Sequence, residues 1–319
     1  METPHALVAW DGPVWGLGGT PHPDPHRLYA RSRSQTGTFG LNRYGASRYR
    51  HCVNDASWAD RDLADRFVDG AYGSVKGYVR TYVLHQHLLH HLPQPPARVL
   101  DVGGGAGHQS FPLASAGFDV TIVEPSSAML DRARERLRMM SDDARTRVTL
   151  IQAAGEDAVD AVGDNRFDGV LCHGVLGYLD DPEPVIATLC RCAQPGGLVS
   201  IMTSNAHATA VRPAMERRWV DALAAFDERV QDNPLGVQTR SDTPEELTTT
   251  LSAHGVATEA LYGTWLFVDW LEFAGAALDI SDPAEVDAIA RVEAEASRRD
   301  PYRQMSRAFH LLGRRGDAD

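Results

Sequence analysis

The chain has 319 residues, 43% of them hydrophobic and 23% charged, with a formal net charge of -12. This is the composition of a globular protein able to bury a substantial core, and its acidity argues against a partner gripped mainly through clustered Lys and Arg. No apolar run approaches the ~18 residues of a membrane span, and the opening "METPHALVAWDG" has neither the basic nor the long apolar region of a secretory leader, so a cytoplasmic protein is expected.

Residues 1–53 are rich in Pro, Gly and His and show little periodicity, which predicts a flexible extension preceding one domain over 54–319. Between Arg27 and Arg50 this extension carries six arginines and no acidic residue, interleaved with Tyr29, Phe39, Tyr44 and Tyr49. Such a segment suits single-stranded RNA, and equally a solvated tail with too little apolar surface to order itself. From Ser57 the spacing of Trp58, Leu63, Phe67 and Ala71 predicts a helix, and "GYVRTYVLHQHLLHHL" a second, stopped by "PQPP".

Beyond that stop, strand and helix alternate. "RVLDV", "DVTIVEP", "VTLIQA", "FDGVLCHGVL" and "GGLVSIMTS" read as strands. Between them "HQSFPLASAG", "SSAMLDRARERLRMM" (capped by Ser126 or Ser127) and "PEPVIATLCRCA" read as helices. This alternation predicts an open, doubly wound α/β parallel sheet. Residues 208–238 look helical and amphipathic, and "SDTPEELTTTLSAHG" is a capped helix with Pro244 in its first turn. "TEALYGTWLFVDWL" and "FHLLGRR" read as strands around helical "DPAEVDAIARVEAEASRR", predicting an antiparallel edge. Cys52, Cys172, Cys190 and Cys192 have no metal-ligand or redox spacing and are expected to be buried thiols.

The stretch "VLDVGGGAGHQS" must decide among ligands. A phosphate-binding P-loop ends in Gly-Lys-Ser/Thr, where this chain has His108 and Gln109. The dinucleotide pattern needs a glycine at His108 or Ser110. What fits is Asp101 followed by Gly103, Gly105 and Gly107 at alternate positions, with Gly104 between, and this resembles motif I of the class I S-adenosylmethionine-dependent methyltransferases. Glycines let the backbone pass close beneath an amino-acid moiety and a ribose. Glu124, ending the next strand, is placed to accept ribose hydroxyls, and the resemblance sets Glu156 and Asp157 of "AAGEDA" beside the adenine. It implies a Rossmann-like, seven-stranded sheet and S-adenosylmethionine as cofactor.

The segments "DGAYGSVKGYVR", "LCHGVLGYLDDP", "QPGGLVSIMTSNAH" and "DPYRQMSRAFHLLGRR" are similar to the bacterial tRNA 5-carboxymethoxyuridine methyltransferases, which esterify a carboxylate on the wobble uridine. The resemblance runs from about Ser57 to Arg315. It implies that Arg80 binds the cofactor carboxylate, that Gly103 and Gly104 lie beneath it, that Gly155 and Glu156 border the adenine, and that His173 sits beside the methionine portion. This chain departs from that family in three ways. It lacks the lysine run after "NAH", it has Ser204 where an aromatic residue is usual, and it has Trp265 and Val268 where Arg and His are usual. The lost basic run weakens the tRNA inference and leaves a small carboxylate-bearing metabolite open as acceptor.

A carboxylate, with a pKa near ~4, is ionised at neutral pH and needs no general base. A hydroxyl or amine acceptor would use one, for which His173 and His207 are the candidates, at the carboxyl ends of two strands where open sheets bind ligands. Tyr178, Asn205 and Trp265 are candidate substrate-side groups. A cofactor-binding regulatory or RNA-binding module without transfer activity is the alternative from another class.

Overall fold

The computed structural model describes residues 68–232, 237–276 and 278–317. The extension, its arginines, Cys52 and most of the helix expected from Ser57 to Ala71 lie outside them; the described end of that helix is a single π-helical turn, Val68–Tyr72. Among the described residues, no helix is long and apolar enough to cross a membrane.

Helix α1 (Val75–His91) starts at Ser74, whose side chain accepts from the Gly77 N–H, and ends before the Pro-rich stop. The five predicted parallel strands follow as β1 (Arg98–Val102), β2 (Asp119–Val123), β3 (Val148–Ile151), β4 (Phe167–His173) and β5 (Ala193–Ser204). The helices between them are α2 (Ser110–Ser115), α3 (Ser127–Leu137), α4 (Asp142–Thr146), α5 (Ala158–Val162) and α6 (Glu183–Cys192). Ser126 caps α3 through the Met129 N–H, settling the choice between the two serines. Short α4 and α5 escaped the periodicity reading because five residues hold barely more than one turn.

The carboxyl third departs from expectation in two places. Residues 208–238 form the short helices α7 (Val211–Met215) and α8 (Trp219–Ala224), then the hairpin of β6 (Val230–Asp232) and β7 (Gln238–Arg240), not continuous helix. Arg217, at φ 59°, breaks the helical path, and the apolar side chains Trp219, Val220, Leu223 and Phe226 are exposed rather than buried. After α9 (Pro244–Ala253) comes β8 (Val256–Thr264), shorter than predicted, because Trp265 at φ 62° turns the chain into α10 (Phe267–Phe273). Glu293 of α11 (Pro283–Ser297) holds the start of α10, its carboxylate accepting the Leu266 N–H at 3.0 Å and the Val268 N–H at 2.7 Å. The last strand is β9 (Ala308–Arg315).

The sheet order is β3-β2-β1-β4-β5-β9-β8. It is the expected mostly parallel sheet, and β9 is antiparallel to both its neighbours. That strand lies one place in from the edge, which β8 occupies, rather than at the edge itself. Two apolar clusters, around Val102, Leu189 and Phe309 and around Leu88, Phe118 and Ile122, form the sheet's two buried faces. Burial on both sides explains why the strands read as unbroken apolar runs. Cys172, Cys190 and Cys192 are buried and free, and burial pushes the Cys190 thiol up to about 12.

Strand order reverses between β1 and β4, because the chain moves outward through β2 and β3 before returning. A crevice opens at the carboxyl ends of strands flanking such a reversal. Because β9 runs against the sheet, its first residue, Ala308, pairs with Ser204 at the end of β5 and with Thr264 at the end of β8. The beginning of β9 therefore reaches the same edge as the ends of the parallel strands.

Candidate active site

A cavity of ≈ 700 Å³ occupies that edge. Its floor is the loop after β1. Gly103, Gly105 and Gly107 have φ of 71°, 54° and 76°, a region that side-chain-bearing residues rarely adopt. A Cβ on Gly103 would run into Val175, and one on Gly104 would stand 2.8 Å from the Asp101 carboxylate. Gly103 and Gly105 line the cavity, whereas Gly104 faces away from it towards Asp101.

Asp101 does not line the cavity, contrary to its expected role as a ligand group. It is buried under the loop, where the Ser110 hydroxyl donates to it at 2.6 Å, and so it supports the loop from below. Burial pushes its carboxyl up to about 6, against the opposing pull of Ser110 and Arg80. Between its ordinary value of 3.8 and about 6 the folded chain therefore holds more protons than the unfolded one. Stability must fall as pH rises through this window and stay level above it. Urea unfolding of wild type against Asp101→Asn should show the wild type losing up to about 3 kcal/mol relative to the variant between pH ~4 and ~7.

Glu124, just past β2, is 6% exposed and lines the cavity. Its carboxylate accepts the Gly105 N–H at 3.0 Å and the Ser126 N–H at 2.9 Å, which ties the glycine loop to the start of α3. Gly155 and Glu156 line the wall beyond β3, but neighbouring Asp157 is exposed and not part of the lining.

On the other side Arg80 of α1 is 5% exposed and lines the cavity. It donates to the Tyr72 hydroxyl at 3.0 Å and the His173 carbonyl at 3.2 Å. Two bonds leave part of the five-donor guanidinium for an anion. His173, ending β4, lines the cavity, and its Nε2 lies 2.8 Å from Ser200 Oγ. Burial first, then His310, Arg80 and His87, hold its pKa well below 6.5, so it is neutral at pH 7 and poorly suited to carry a proton.

Two further candidates lie outside the cavity. His207 is exposed, 3.6 Å from Glu245, and does not line it. Asn205 is buried, its amide donating to the Gln304 and Ser306 carbonyls and accepting from the His207 N–H, each at 3.0 Å. With these groups engaged, Asn205 ties the end of β5 to the turn before β9 rather than offering a substrate-side group. His207 was expected at a strand end but falls in the 3₁₀ turn Ala206–Ala208, which carries it outward.

Tyr178 and Trp265 do line the cavity. The Trp265 indole donates to the Lys76 carbonyl at 2.9 Å, and the Lys76 ammonium sits 5.2 Å from its ring centroid. Three cations join them. Lys76 is paired with Asp269 and with Glu272, and Arg212 with Glu216 at 2.9 Å. The third, Arg307, lines the cavity with no side-chain hydrogen bond or ion pair among the described residues. Burial lowers its pKa, and Asp269, Glu272 and Glu216 partly offset this, but a guanidinium stays charged at neutral pH. Arg307 lies within "DPYRQMSRAFHLLGRR", but no local pattern in that segment shows that an antiparallel strand begins at the ligand edge.

Residues 78–255 match the family described as "Methyltransferase domain". The tRNA 5-carboxymethoxyuridine methyltransferase of Escherichia coli strain K12 is 27% identical over 259 residues, which cover 80% of this chain and 95% of that protein. A ubiquinone biosynthesis O-methyltransferase of Alkalilimnicola ehrlichii is 34% identical over 109 residues, 34% of this chain and 42% of its own length. Among solved structures, the CcbJ methyltransferase from Streptomyces caelestis shares the fold with a TM-score of 0.53 at 16% identity, over 83% of this chain and 100% of that one.

Proposed function

The chain belongs to the methyltransferase domain family, and from that premise we propose that it transfers a methyl group from S-adenosylmethionine to a carboxylate, with the 5-carboxymethoxyuridine of tRNA as the first acceptor to test. The cavity residues fit the cofactor: a glycine floor that any Cβ would obstruct at Gly103, a carboxylate at Glu124, and a buried arginine at Arg80. Glu124 would hold the ribose, Arg80 the α-carboxylate, and Gly155 and Glu156 would border the adenine.

The observation that carries the carboxylate reading is Arg307. A cation lining the cavity with no direct ion pair among the described residues suits an anionic ligand, and guanidinium matches a carboxylate with two parallel N–H donors. When bound, S-adenosylmethionine supplies a sulfonium-activated methyl group. Arg307 orients the acceptor carboxylate, Trp265 and the buried Met202 of β5, which also lines the cavity, exclude water beside it, and neutral His173 takes up no proton. Positioning is then the main catalytic task, since an ionised carboxylate already holds the attacking lone pair.

A small-molecule carboxylate is the second reading, favoured by the net charge of -12 and the absence of a lysine run after Asn205. The test is incubation of the purified chain and methyl-labelled cofactor with tRNA bearing 5-carboxymethoxyuridine, followed by nucleoside mass spectrometry. A base-labile methyl ester on that nucleoside is expected. Unlabelled tRNA together with a labelled small carboxylic acid would transfer the assignment to the second reading. Cofactor binding with no methyl transferred to either acceptor would leave the cofactor-binding module without transfer activity, and failure to bind the cofactor would overturn the methyltransferase reading itself.

A further inference from the structure

Five buried side chains run in a hydrogen-bonded line from the cavity wall, across one face of the sheet, to the helices α1 and α11. His173 Nε2 lies 2.8 Å from Ser200 Oγ, and Ser200 Oγ lies 2.7 Å from His310 Nε2. His310 Nδ1 lies 3.1 Å from His87 Nδ1, and His87 Nε2 lies 3.0 Å from Ser297 Oγ. The line crosses β4, β5, β9, α1 and α11, and every member is at most 7% exposed.

The direction of this line can be worked out from its far end. The Ser297 hydroxyl donates its single proton to the Ala294 carbonyl at 2.8 Å. It must therefore accept from His87, which carries its proton on Nε2. Burial lowers the pKa of His87 well below 6.5 and that of His310 to about 3, so each ring is neutral and holds one proton. His87 Nδ1 is then an acceptor, and His310 must donate from Nδ1. His310 Nε2 in turn accepts the Ser200 proton, and Ser200 accepts from His173 Nε2. The remaining nitrogen, His173 Nδ1, is buried and has no partner among the described residues.

We propose that Ser297, His87, His310 and Ser200 are positioning residues that lock His173, in the cavity wall, as its Nε2–H tautomer, leaving the buried Nδ1 as a bare acceptor that an N–H or O–H donor of a bound ligand would engage. The information that sets this tautomer resides in the Ser297–Ala294 bond on α11, four side chains away from the cavity. Stacking of Tyr262 on His87, with ring centroids 3.8 Å apart, holds the middle of the line in register. Only the binding consequence rests on the cofactor reading above; the tautomer itself does not.

The test uses the full chain with ¹⁵N-labelled histidine and long-range ¹⁵N–¹H correlation spectra, the His173 signals being assigned by their loss in His173→Gln. In the ligand-free wild type, His173 should show a protonated Nε2 and an unprotonated Nδ1. In Ser297→Ala the line has no fixed end, so the Nδ1–H tautomer of His173 should appear beside the first, and Ser297→Thr, which keeps the hydroxyl, should restore the single form. If the two tautomers become equal, only half the molecules remain competent, and the Kd for S-adenosylmethionine or for the acceptor, whichever supplies the donor, should rise by about twofold. A protonated Nδ1 in the wild type, or a single unchanged tautomer in Ser297→Ala, overturns the proposal. Because neither spectrum requires cofactor or acceptor, failure of the methyl-transfer reading leaves this result separately readable.

Discussion

Glu124→Ala is expected to weaken S-adenosylmethionine binding by roughly 30- to 1,000-fold, corresponding to about 2–4 kcal/mol for losing charge-assisted hydrogen bonds to two ligand hydroxyls. The carboxylate also accepts the Gly105 and Ser126 N–H groups. Its removal therefore takes away ligand acceptors and loosens the loop beneath the ligand at once. Glu124→Gln separates the two effects, because the amide oxygen still takes one backbone N–H while the negative charge is gone; its loss should be intermediate. Isothermal titration with the cofactor measures both variants, with thermal unfolding to verify that each remains folded. Unchanged affinity in a folded Glu124→Ala variant would remove this residue from the cofactor site.

The second large effect is expected at Arg307. Replacement by leucine should lower kcat/KM for a carboxylate acceptor by about 30- to 1,000-fold, the range for deleting one partner of a desolvated charge pair, while the cofactor Kd stays within about twofold. Arg307→Lys should recover part of the loss, since an ammonium keeps the charge but not the paired donor geometry. The split between the two ligands is the decisive feature. Equal losses for cofactor and acceptor would mean that Arg307 shapes the whole cavity, and an unaffected acceptor would dismiss the carboxylate anchor.

These two residues differ in how visible they were. Glu124 could be read because it ends a strand whose apolar run is unmistakable, at a fixed place after a glycine loop. Gly103 and Gly105 were similarly legible. Asp101 and Gly104 belong to the same motif, yet they face each other beneath the loop instead of the cavity. Sequence spacing places a residue on a loop but does not say which way it turns. Asn205 and His207 show the same limit at the end of β5, where one closing 3₁₀ turn buries the first and exposes the second.

The sequence by itself determined the alternation of strands and helices, the doubly wound sheet and the glycine floor, because these follow from local periodicity, caps and turn chemistry within a few residues. The tertiary structure alone decided that β9 slides between β5 and β8, bringing Arg307 to the mouth where His173 and Trp265 stand. It alone also aligned His173, Ser200, His310, His87 and Ser297 into one proton-ordered line. Both depend on contacts between residues up to 223 positions apart, as His87 and His310 are. No local pattern encodes such contacts; packing of the whole sheet against α1 and α11 does.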